Sequence, residues 1–243
     1  MALSIEHGEA EIVQAYFDAA PRSGLIVDVG AQFGTSFRKY LAQGWRVIAF
    51  EPDPVKLPKL EKYRQNLLLT LFTDAVSDRP VESAPFFTSE ESTGISTLAP
   101  FRPSHQLATH VRVTTLTRVL DDLRIDHIDF LKIDTEGLDY RVLCGMPFDR
   151  ITPEVVLCEF DELKTRQSGW DFRTVGDLLL GHGYDVFLSE WQPIVRYGGG
   201  YAWRRVSKYP CDLLHADAWG NFIAVRTDAS AGRMAELLRP HLS

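Results

Sequence analysis

The chain lacks the features that mark a membrane protein, a disulfide-stabilised protein or a general nucleic-acid binder. No apolar run in its 243 residues approaches the roughly 18 residues of a transmembrane helix. Its three cysteines, Cys144, Cys158 and Cys211, are widely spaced and odd in number, so we expect reduced thiols. The formal net charge of -7 argues against nucleic acid or anionic membranes as partners. Residues 1–7 lack the basic and apolar regions of a signal peptide, so we expect a cytoplasmic protein.

The chain does contain a regular alternation of short apolar runs and amphipathic stretches. We expect strands at 25–29, 46–50, 67–72, 128–134, 155–159, 184–188 and 219–226. We expect helices at 9–19, 34–43, 54–64, 116–123, 138–144, 172–181 and 229–240. This alternation predicts a Rossmann-like α/β fold, with a seven-stranded, mostly parallel sheet and helices on both faces. A chain of this length is expected to form one domain, residues 1–243, with an N-terminal helical segment at 1–23.

Two segments interrupt the alternation of strands and helices. Residues 79–115 are rich in Ser, Thr and Pro, which predicts an inserted flap or hairpin. Residues 189–215 are rich in aromatic residues and glycine, which predicts a long acceptor-side loop. Arg204 and Arg205 in this loop are candidates to hold a phosphate or carboxylate, and the aromatic rings could stack on a sugar. We expect loop and flap to close over a substrate; the alternative is that the same aromatics make packing or dimer contacts.

The tips of the first three predicted strands carry the residues of a nucleoside-binding site. Glu51 follows the second strand, about twenty residues beyond the glycine turn that begins at Gly30, and its carboxylate can accept both hydroxyls of a ribose. Asp28 is placed for a cationic amino group, with a helix cap as the alternative. Asp74 follows the third strand and can accept a proton from the amine of adenine, with a turn residue as the alternative.

The glycine turn distinguishes between adenosine cofactors. A diphosphate loop reads G-x-G-x-x-G, but here Gln32 occupies the middle glycine position and its side chain would crowd a diphosphate. The turn therefore favours S-adenosylmethionine over NAD. The predicted cofactor contacts are Asp28, Gly30, Gln32, Gly34, Thr35, Ser36, Glu51, Pro52, Asp74 and Ala75.

Several motifs resemble those of the FkbM-type methyltransferases. Residues 132–145 read KIDTEGLDYRVLCG, which is similar to the family signature K-I-D-x-E-G-x-E-x-x-V-L-x-G. The segments VDVGA at 27–31, FEP at 50–52, AVSD at 75–78 and GISTL at 94–98 also match. The similarity covers about residues 24–160. The chain departs from the family at Gln32, where Asn is frequent, at Thr117, which replaces an Asp, and at Asp139, which replaces a Glu.

This resemblance implies an S-adenosylmethionine-dependent enzyme with the methyltransferase fold. Known members of the family mostly methylate hydroxyl oxygens of sugars, polyketides and other natural products. We therefore expect an O-methyltransferase that acts on a small-molecule or glycan acceptor.

Three acids are the candidates for catalysis. Asp134 and Glu136 follow the fourth predicted strand and Glu159 ends the fifth. A hydroxyl is a poor nucleophile until its proton is removed, so one of these carboxylates is expected to act as general base. A divalent cation bound by the three acids is an alternative, because hard oxygen ligands suit magnesium or calcium. Structural alternatives are a helix cap for Glu136 and an internal ion pair for Glu159.

Other functions remain open from the sequence. A nicotinamide-dependent oxidoreductase would share the acid at Glu51, but Gln32 and the lack of a Tyr-x-x-x-Lys pair weigh against it. A noncatalytic cofactor-binding scaffold would not need every cofactor residue, and here each is retained. A protein acceptor and a homo-oligomeric state are both compatible with the sequence.

Overall fold

The computed structural model describes residues 8–20, 22–166, 168–197, 200–227 and 231–242. The contacts between residues group the chain into two compact units. The central unit is Ser23–Thr152, and the terminal unit combines Met1–Arg22 with Pro153–Ser243. Parts of three predicted segments lie outside the described residues. These parts are residues 1–7 of the N-terminal segment, the glycines 198–199 of the acceptor-side loop and residues 229–230 of the last helix.

The order of elements follows the predicted alternation closely. The helices are α1 (Glu9–Asp18), α2 (Arg38–Ala42), α3 (Leu57–Leu60), α4 (Leu116–Asp122), α5 (Asp139–Cys144), α6 (Glu162–Thr165), α7 (Phe172–Gly181) and α8 (Ala231–Leu238). The strands are β1 (Leu25–Val29), β2 (Arg46–Phe50), β3 (Leu69–Phe72), β4 (Ala75–Val76), β5 (Val81–Ser89), β6 (His105–Thr114), β7 (Phe130–Ile133), β8 (Val155–Asp161), β9 (Tyr184–Trp191), β10 (Trp203–Lys208) and β11 (Trp219–Arg226). Among the described residues, no helix is long and apolar enough to cross a lipid bilayer.

The central unit contains parallel strands in the order β7-β1-β2-β3. All five residues of β1 are buried, as expected for a strand that is covered on both faces. The register pairs Val29 with Phe50 on one side and with Ile133 on the other. The carboxyl ends of these strands therefore lie at one edge, which is where parallel α/β sheets place their ligands.

The predicted flap forms a second sheet in the central unit. β5 and β6 pair antiparallel, and β4 joins β6, which gives the order β4-β6-β5. The connection between β5 and β6, residues 90–104, is called the flap loop below. A further antiparallel bridge joins Phe87 of β5 to Thr97, so the flap loop folds back against its own hairpin.

The terminal unit contains antiparallel strands in the order β10-β9-β11-β8. The two four-stranded arrangements hold eight strands, where the sequence predicted seven. The difference is β10, which lies within the segment 189–215 that was predicted as a loop. Because β10 is an edge strand with the polar sequence WRRVSK, it shows little of the apolar alternation that marks a strand in sequence.

The helix after β1 is shorter than predicted. It was expected to begin at Gly34, but α2 begins at Arg38, and residues 32–37 form turns. The helix expected to run from 54 to 64 is likewise reduced to α3 and a 3₁₀ turn at Glu61–Tyr63. Gly34 therefore lies in a turn and not at the start of a helix.

Candidate cofactor pocket and active site

A pocket lies at the carboxyl edge of the parallel strands in the central unit. Its walls come from the tips of β1, β2 and β7, from the residues after β3, and from the flap loop. The lining residues predicted from the sequence are Gly30, Gln32, Glu51, Pro52, Asp74, Ala75, Asp134 and Glu136. Residues predicted for a nucleoside site thus line one pocket, and they include acids from three strand ends.

Gly30 allows the β1 turn to approach β7. Its φ is +82°, and a Cβ atom there would lie 1.9 Å from the carbonyl oxygen of Asp134. The N–H groups of Gly30 and Ala31 both donate to the carbonyl oxygen of Phe50, which ties the turn to β2. The glycine is therefore required both by its backbone conformation and by the adjacent strand.

Glu51 lines the pocket and is held by two backbone donors. The N–H of Gln32 donates to its Oε2 at 2.7 Å, and the N–H of Asp53 donates to its Oε1 at 2.9 Å. Only 2% of Glu51 is exposed. Each carboxylate oxygen has a second lone pair, so this orientation leaves both oxygens able to accept another hydrogen bond.

Asp28 does not line the pocket, unlike the prediction that it would meet a cationic amino group. It is fully buried, its Oδ2 accepts a hydrogen bond from Ser36, and its Oδ1 lies 3.4 Å from Nζ of Lys132. Gly34 and Thr35 also lie outside the lining, with Gly34 packed near Phe37. Asp28, Gly34 and Thr35 thus belong to β1 and the turn after it without lining the pocket.

Asp74 lines the pocket, as predicted, but its carboxylate also has an internal partner. Arg112 on β6 donates from Nε and from a terminal nitrogen to the two carboxylate oxygens, each at 2.9 Å. This fork-shaped pairing fixes the plane of the carboxylate and raises the pKa of Arg112. The remaining lone pairs of Asp74 are then oriented by the flap hairpin.

The flap loop forms a pocket wall that the sequence did not assign to the cofactor site. Ser96 donates to Oδ2 of Asp53 at 2.7 Å, and the hydroxyl of Thr97 donates to the carbonyl oxygen of Glu136 at 3.0 Å. Lys56, which also lines the pocket, is buried with its Nζ 3.5 Å from Asp53. The motif GISTL at 94–98 marked this loop in the sequence, but no local pattern indicated its two anchoring points.

Asp134 and Glu136 lie together in the loop after β7, and both line the pocket. Glu136 has a φ of +60°. The loop is held by Asp139, whose carboxylate accepts hydrogen bonds from the N–H groups of Thr135, at 2.8 Å, and Gly137, at 3.1 Å. The shorter acid at Asp139, where the family pattern has Glu, thus supports the loop that carries the two candidate acids.

Glu159, the third candidate acid, belongs to the terminal unit. Only 8% of it is exposed, and Nζ of the buried Lys164 lies 2.8 Å from its Oε2. Lys164 also lies 3.3 Å from Asp161, which caps α6. The internal ion pair considered in the sequence is therefore present, with lysine as the cation in place of arginine, and a catalytic role for Glu159 stays a prediction.

In the terminal unit, Arg204 and Arg205 have an internal partner that was not predicted. Glu190 is fully buried, and Nε of Arg205 lies 2.9 Å from its Oε2, while Arg204 lies 3.8 Å from its Oε1. The N–H of Leu214 also donates to Oε1 of Glu190 at 2.9 Å. These arginines neutralise an internal carboxylate, which the sequence did not indicate because basic residues among aromatics are usually exposed.

Aromatic residues of the segment 189–215 pack against other parts of the terminal unit. The rings of Trp191 and Trp219 stack with centroids 5.6 Å apart, and Tyr201 meets Trp219 edge-on at 5.4 Å. Tyr209 is buried and donates to Asp177 at 2.7 Å. These contacts correspond to the packing alternative considered in the sequence, and a role of the segment in acceptor binding stays a prediction.

We expect Arg205→Met to destabilise the terminal unit, because Glu190 would keep its buried charge but lose the nearer of these two arginines. The expected loss of unfolding free energy is about 2 kcal/mol. Denaturant unfolding followed by circular dichroism would measure it. Arg173→Met is the matched control, because Arg173 pairs with an Asp212 side chain that is 90% exposed, and it should change stability by less than about 0.5 kcal/mol. Equal stability of the two variants would contradict the assigned role of Arg205.

Comparison with known proteins identifies one family. The family model described as the methyltransferase FkbM domain matches residues 28–186. Among curated proteins, none matches this chain.

Among solved structures, the chain is similar to several methyltransferases at low identity. It matches the precorrin-6Y C5,15-methyltransferase of Geobacter metallireducens with 13% identity and a TM-score of 0.45, over 89% of this chain and 87% of that chain. It matches the magnesium protoporphyrin IX methyltransferase of Synechocystis with bound SAM with 10% identity and a TM-score of 0.46, over 92% and 81%. An rRNA methylase of Streptococcus thermophilus has 12% identity and a TM-score of 0.45, over 93% and 99%. A likeness at this level carries no information about the acceptor or the site residues.

Proposed function

Because the chain belongs to the FkbM methyltransferase domain family, we propose that it transfers a methyl group to a hydroxyl of a sugar, glycan or natural product. Family membership makes it a methyltransferase whose methyl donor is S-adenosylmethionine. The acceptor class and the oxygen as methylated atom are the proposal. The observation that supports them best is the pair of carboxylates, Asp134 and Glu136, in the wall of the pocket after β7.

The residues of the pocket fit S-adenosylmethionine. Glu51, with its two oxygens oriented by backbone N–H groups, would hold the ribose hydroxyls. Asp74, oriented by Arg112, would accept from the adenine amine. The strand order β7-β1-β2-β3 puts the carboxylates after β7 at the opposite end of the pocket from Asp74, where the reacting part of the cofactor would be held.

The residues after β7 are suited to prepare a hydroxyl for methyl transfer. When bound, the cofactor supplies an electrophilic methyl group on its sulfonium. A carboxylate at this end accepts the proton of the acceptor hydroxyl as the oxygen gains the methyl group. Thr97 and Asp139 fix the backbone around Glu136, so the loop can hold an acceptor in one orientation, and positioning of this kind supplies much of the rate of a displacement.

Binding and turnover measurements test the proposal in two steps. Calorimetric titration with S-adenosylmethionine, S-adenosylhomocysteine and NAD, with and without a chelator, should show one saturable site for the first two and none for NAD. NAD binding alone would favour the oxidoreductase, and no binding at all would favour a scaffold.

The second step is a panel of glycosides and natural-product alcohols, with formation of S-adenosylhomocysteine as the readout. Each acceptor is paired with its O-methylated form, in which the reacting hydroxyl is blocked. Turnover only with free hydroxyls supports the proposal. Turnover with amine-containing acceptors in their blocked form would overturn methylation at oxygen while leaving the methyltransferase assignment intact.

We expect cofactor affinity to weaken in mild acid because of Glu51. Burial raises the pKa of the Glu51 carboxyl above its usual value, and the cation of Lys56 and the two backbone donors offset only part of this. The ribose hydroxyls need the ionised carboxylate, so affinity should fall by about tenfold per pH unit below that pKa.

The stability of the ligand-free protein depends on pH with the opposite sign. The protonated form of Glu51 favours folding below its unfolded pKa, and this contribution is lost as pH rises through the raised folded pKa.

Calorimetry between neutral pH and the onset of acid unfolding measures this effect. Glu51→Gln is the control, because it cannot titrate and its weaker affinity should not vary with pH in this range. An equally steep pH dependence in Glu51→Gln would assign the titration to another group.

A further inference from the structure

Lys132 places a charged ammonium group against the turn that follows β1. Its Nζ donates to the carbonyl oxygen of Gly30 at 2.8 Å and lies 3.4 Å from Oδ1 of Asp28 and 3.5 Å from Oδ2 of Asp134. Its side chain is 12% exposed. Burial alone lowers the pKa of Lys132, but the carboxylates of Asp28 and Asp134 more than offset this and raise it, so the group stays charged.

Asp28 is closed to a cation from the pocket, because it does not line the pocket. Asp28 is fully buried, and its two oxygens face Lys132 and the hydroxyl of Ser36. The carbonyl oxygen of Gly30 is also engaged by Lys132. Lys132 thus occupies the position that the sequence assigned to the amino group of the cofactor.

The described lining of the pocket contains four carboxylates, and their surroundings separate their roles. Glu51 is oriented for the ribose and lies near the cation of Lys56, and Asp74 is paired with Arg112 at the adenine end. The other two, Asp134 and Glu136, lie after β7. Asp134 comes directly after the strand, its N–H donates to the carbonyl oxygen of Val29 at 3.0 Å, and it is therefore adjacent to the β1 turn.

Asp134 also keeps capacity to bind a cation from the pocket side. Its side chain is 39% exposed, whereas that of Asp28 is 0% exposed. Lys132 approaches Asp134 through Oδ2 at 3.5 Å, and a carboxylate offers about four lone-pair sites. Lys132 therefore holds Asp134 in place without saturating it.

We propose that Lys132 is a built-in substitute for the cofactor's ammonium at Asp28, and that Asp134 is the carboxylate that binds the α-ammonium group of S-adenosylmethionine. The inference rests on the proposed function for the identity of the cofactor. Lys132 is a positioning residue in this scheme, and Asp134 is a cofactor-binding residue. The general base is then another carboxylate of the predicted set.

The test compares S-adenosylhomocysteine with its desamino analogue, in which hydrogen replaces the α-amino group, by calorimetry at neutral pH. The wild-type chain should bind S-adenosylhomocysteine at least about tenfold more tightly than the analogue. Asp134→Asn should remove this preference by weakening S-adenosylhomocysteine, with the affinity of the analogue unchanged within about twofold. Asp122→Asn, at a side chain that is 73% exposed on α4, should change neither affinity.

A companion variant separates Asp134 from Asp28. The double substitution Asp28→Asn with Lys132→Met removes both charges together, so no unpaired buried charge remains, and it should retain the preference for the amino group. The proposal is overturned if Asp134→Asn keeps the preference, or if the wild-type chain binds both ligands equally. If the double variant does not fold, the result for Asp134→Asn decides alone. A wild-type chain that binds neither ligand would instead reject the cofactor assignment, and the inference with it.

Discussion

Replacing Glu51 with glutamine is expected to weaken S-adenosylmethionine binding by roughly a hundredfold. The substitution keeps the shape of the side chain but removes its charge and one of its two acceptor oxygens. It also turns an amide NH₂ towards the N–H of Gln32 or of Asp53, so one backbone donor loses its partner. Both effects act at a group that is only 2% exposed, where water cannot replace a lost hydrogen bond.

Calorimetric titration of the variant with S-adenosylmethionine measures this loss. Glu61→Gln is the matched control, because its side chain is 55% exposed and pairs with a neighbouring arginine on the surface. It should bind like the wild-type chain. A dissociation constant for Glu51→Gln within about threefold of the wild type would show that the ribose is held elsewhere.

The second large effect is expected for Gly30→Ala, which should lower the free energy of unfolding by about 3–5 kcal/mol. Two costs add at this position. An alanine would have to adopt a φ of +82°, and its Cβ would overlap the carbonyl oxygen of Asp134 at 1.9 Å. That oxygen belongs to the backbone after β7, so it cannot move aside as a flexible side chain would.

Gly44→Ala separates the two costs in the same unit. Gly44 has a φ of +83°, but a Cβ atom added there would meet no other atom within 4 Å, so this variant should lose only about 1 kcal/mol. Denaturant unfolding of both variants gives the difference, which isolates the close approach of β1 to β7. Equal losses in the two variants would mean that the strand tips separate at little cost.

The parts of the site that sequence could predict are those with a local origin. Gly30 and Glu51 each follow a short apolar strand. A strand, a turn of positive φ and a second strand, in this order, indicate where an acid that binds a ribose lies. The parallel arrangement of β1, β2 and β7 follows from the same alternation. The acids after β7 were found because they belong to the motif at residues 132–145.

The parts that sequence could not predict depend on side-chain contacts over long separations. Asp74 and Arg112 are 38 positions apart, and Lys132 and Gly30 are 102 positions apart, so neither contact leaves a local pattern. Asp28 ends a strand in the same way as a ligand-binding acid does, and only the position of Lys132 shows that it faces inward. The ion pairs of Arg204 and Arg205 were not predicted for the same reason, because the buried Glu190 that they neutralise lies on another strand.

The two anchoring points of the flap loop have a consequence for amide hydrogen exchange. Ser96 is tied to Asp53, which follows β2, and Thr97 is tied to the backbone of Glu136 after β7, so the loop can leave the pocket wall only when both bonds break. Exchange of the amides at 94–98 would then report a cooperative opening event. A ligand that binds the pocket only when the flap loop is in place stabilises this closed position of the loop. The added free energy is RT ln(1 + [L]/Kd), where [L] is the concentration of free ligand. The protection of a few backbone amides in the flap loop would thus measure the occupancy of the pocket, even in a sample that holds no acceptor and shows no turnover.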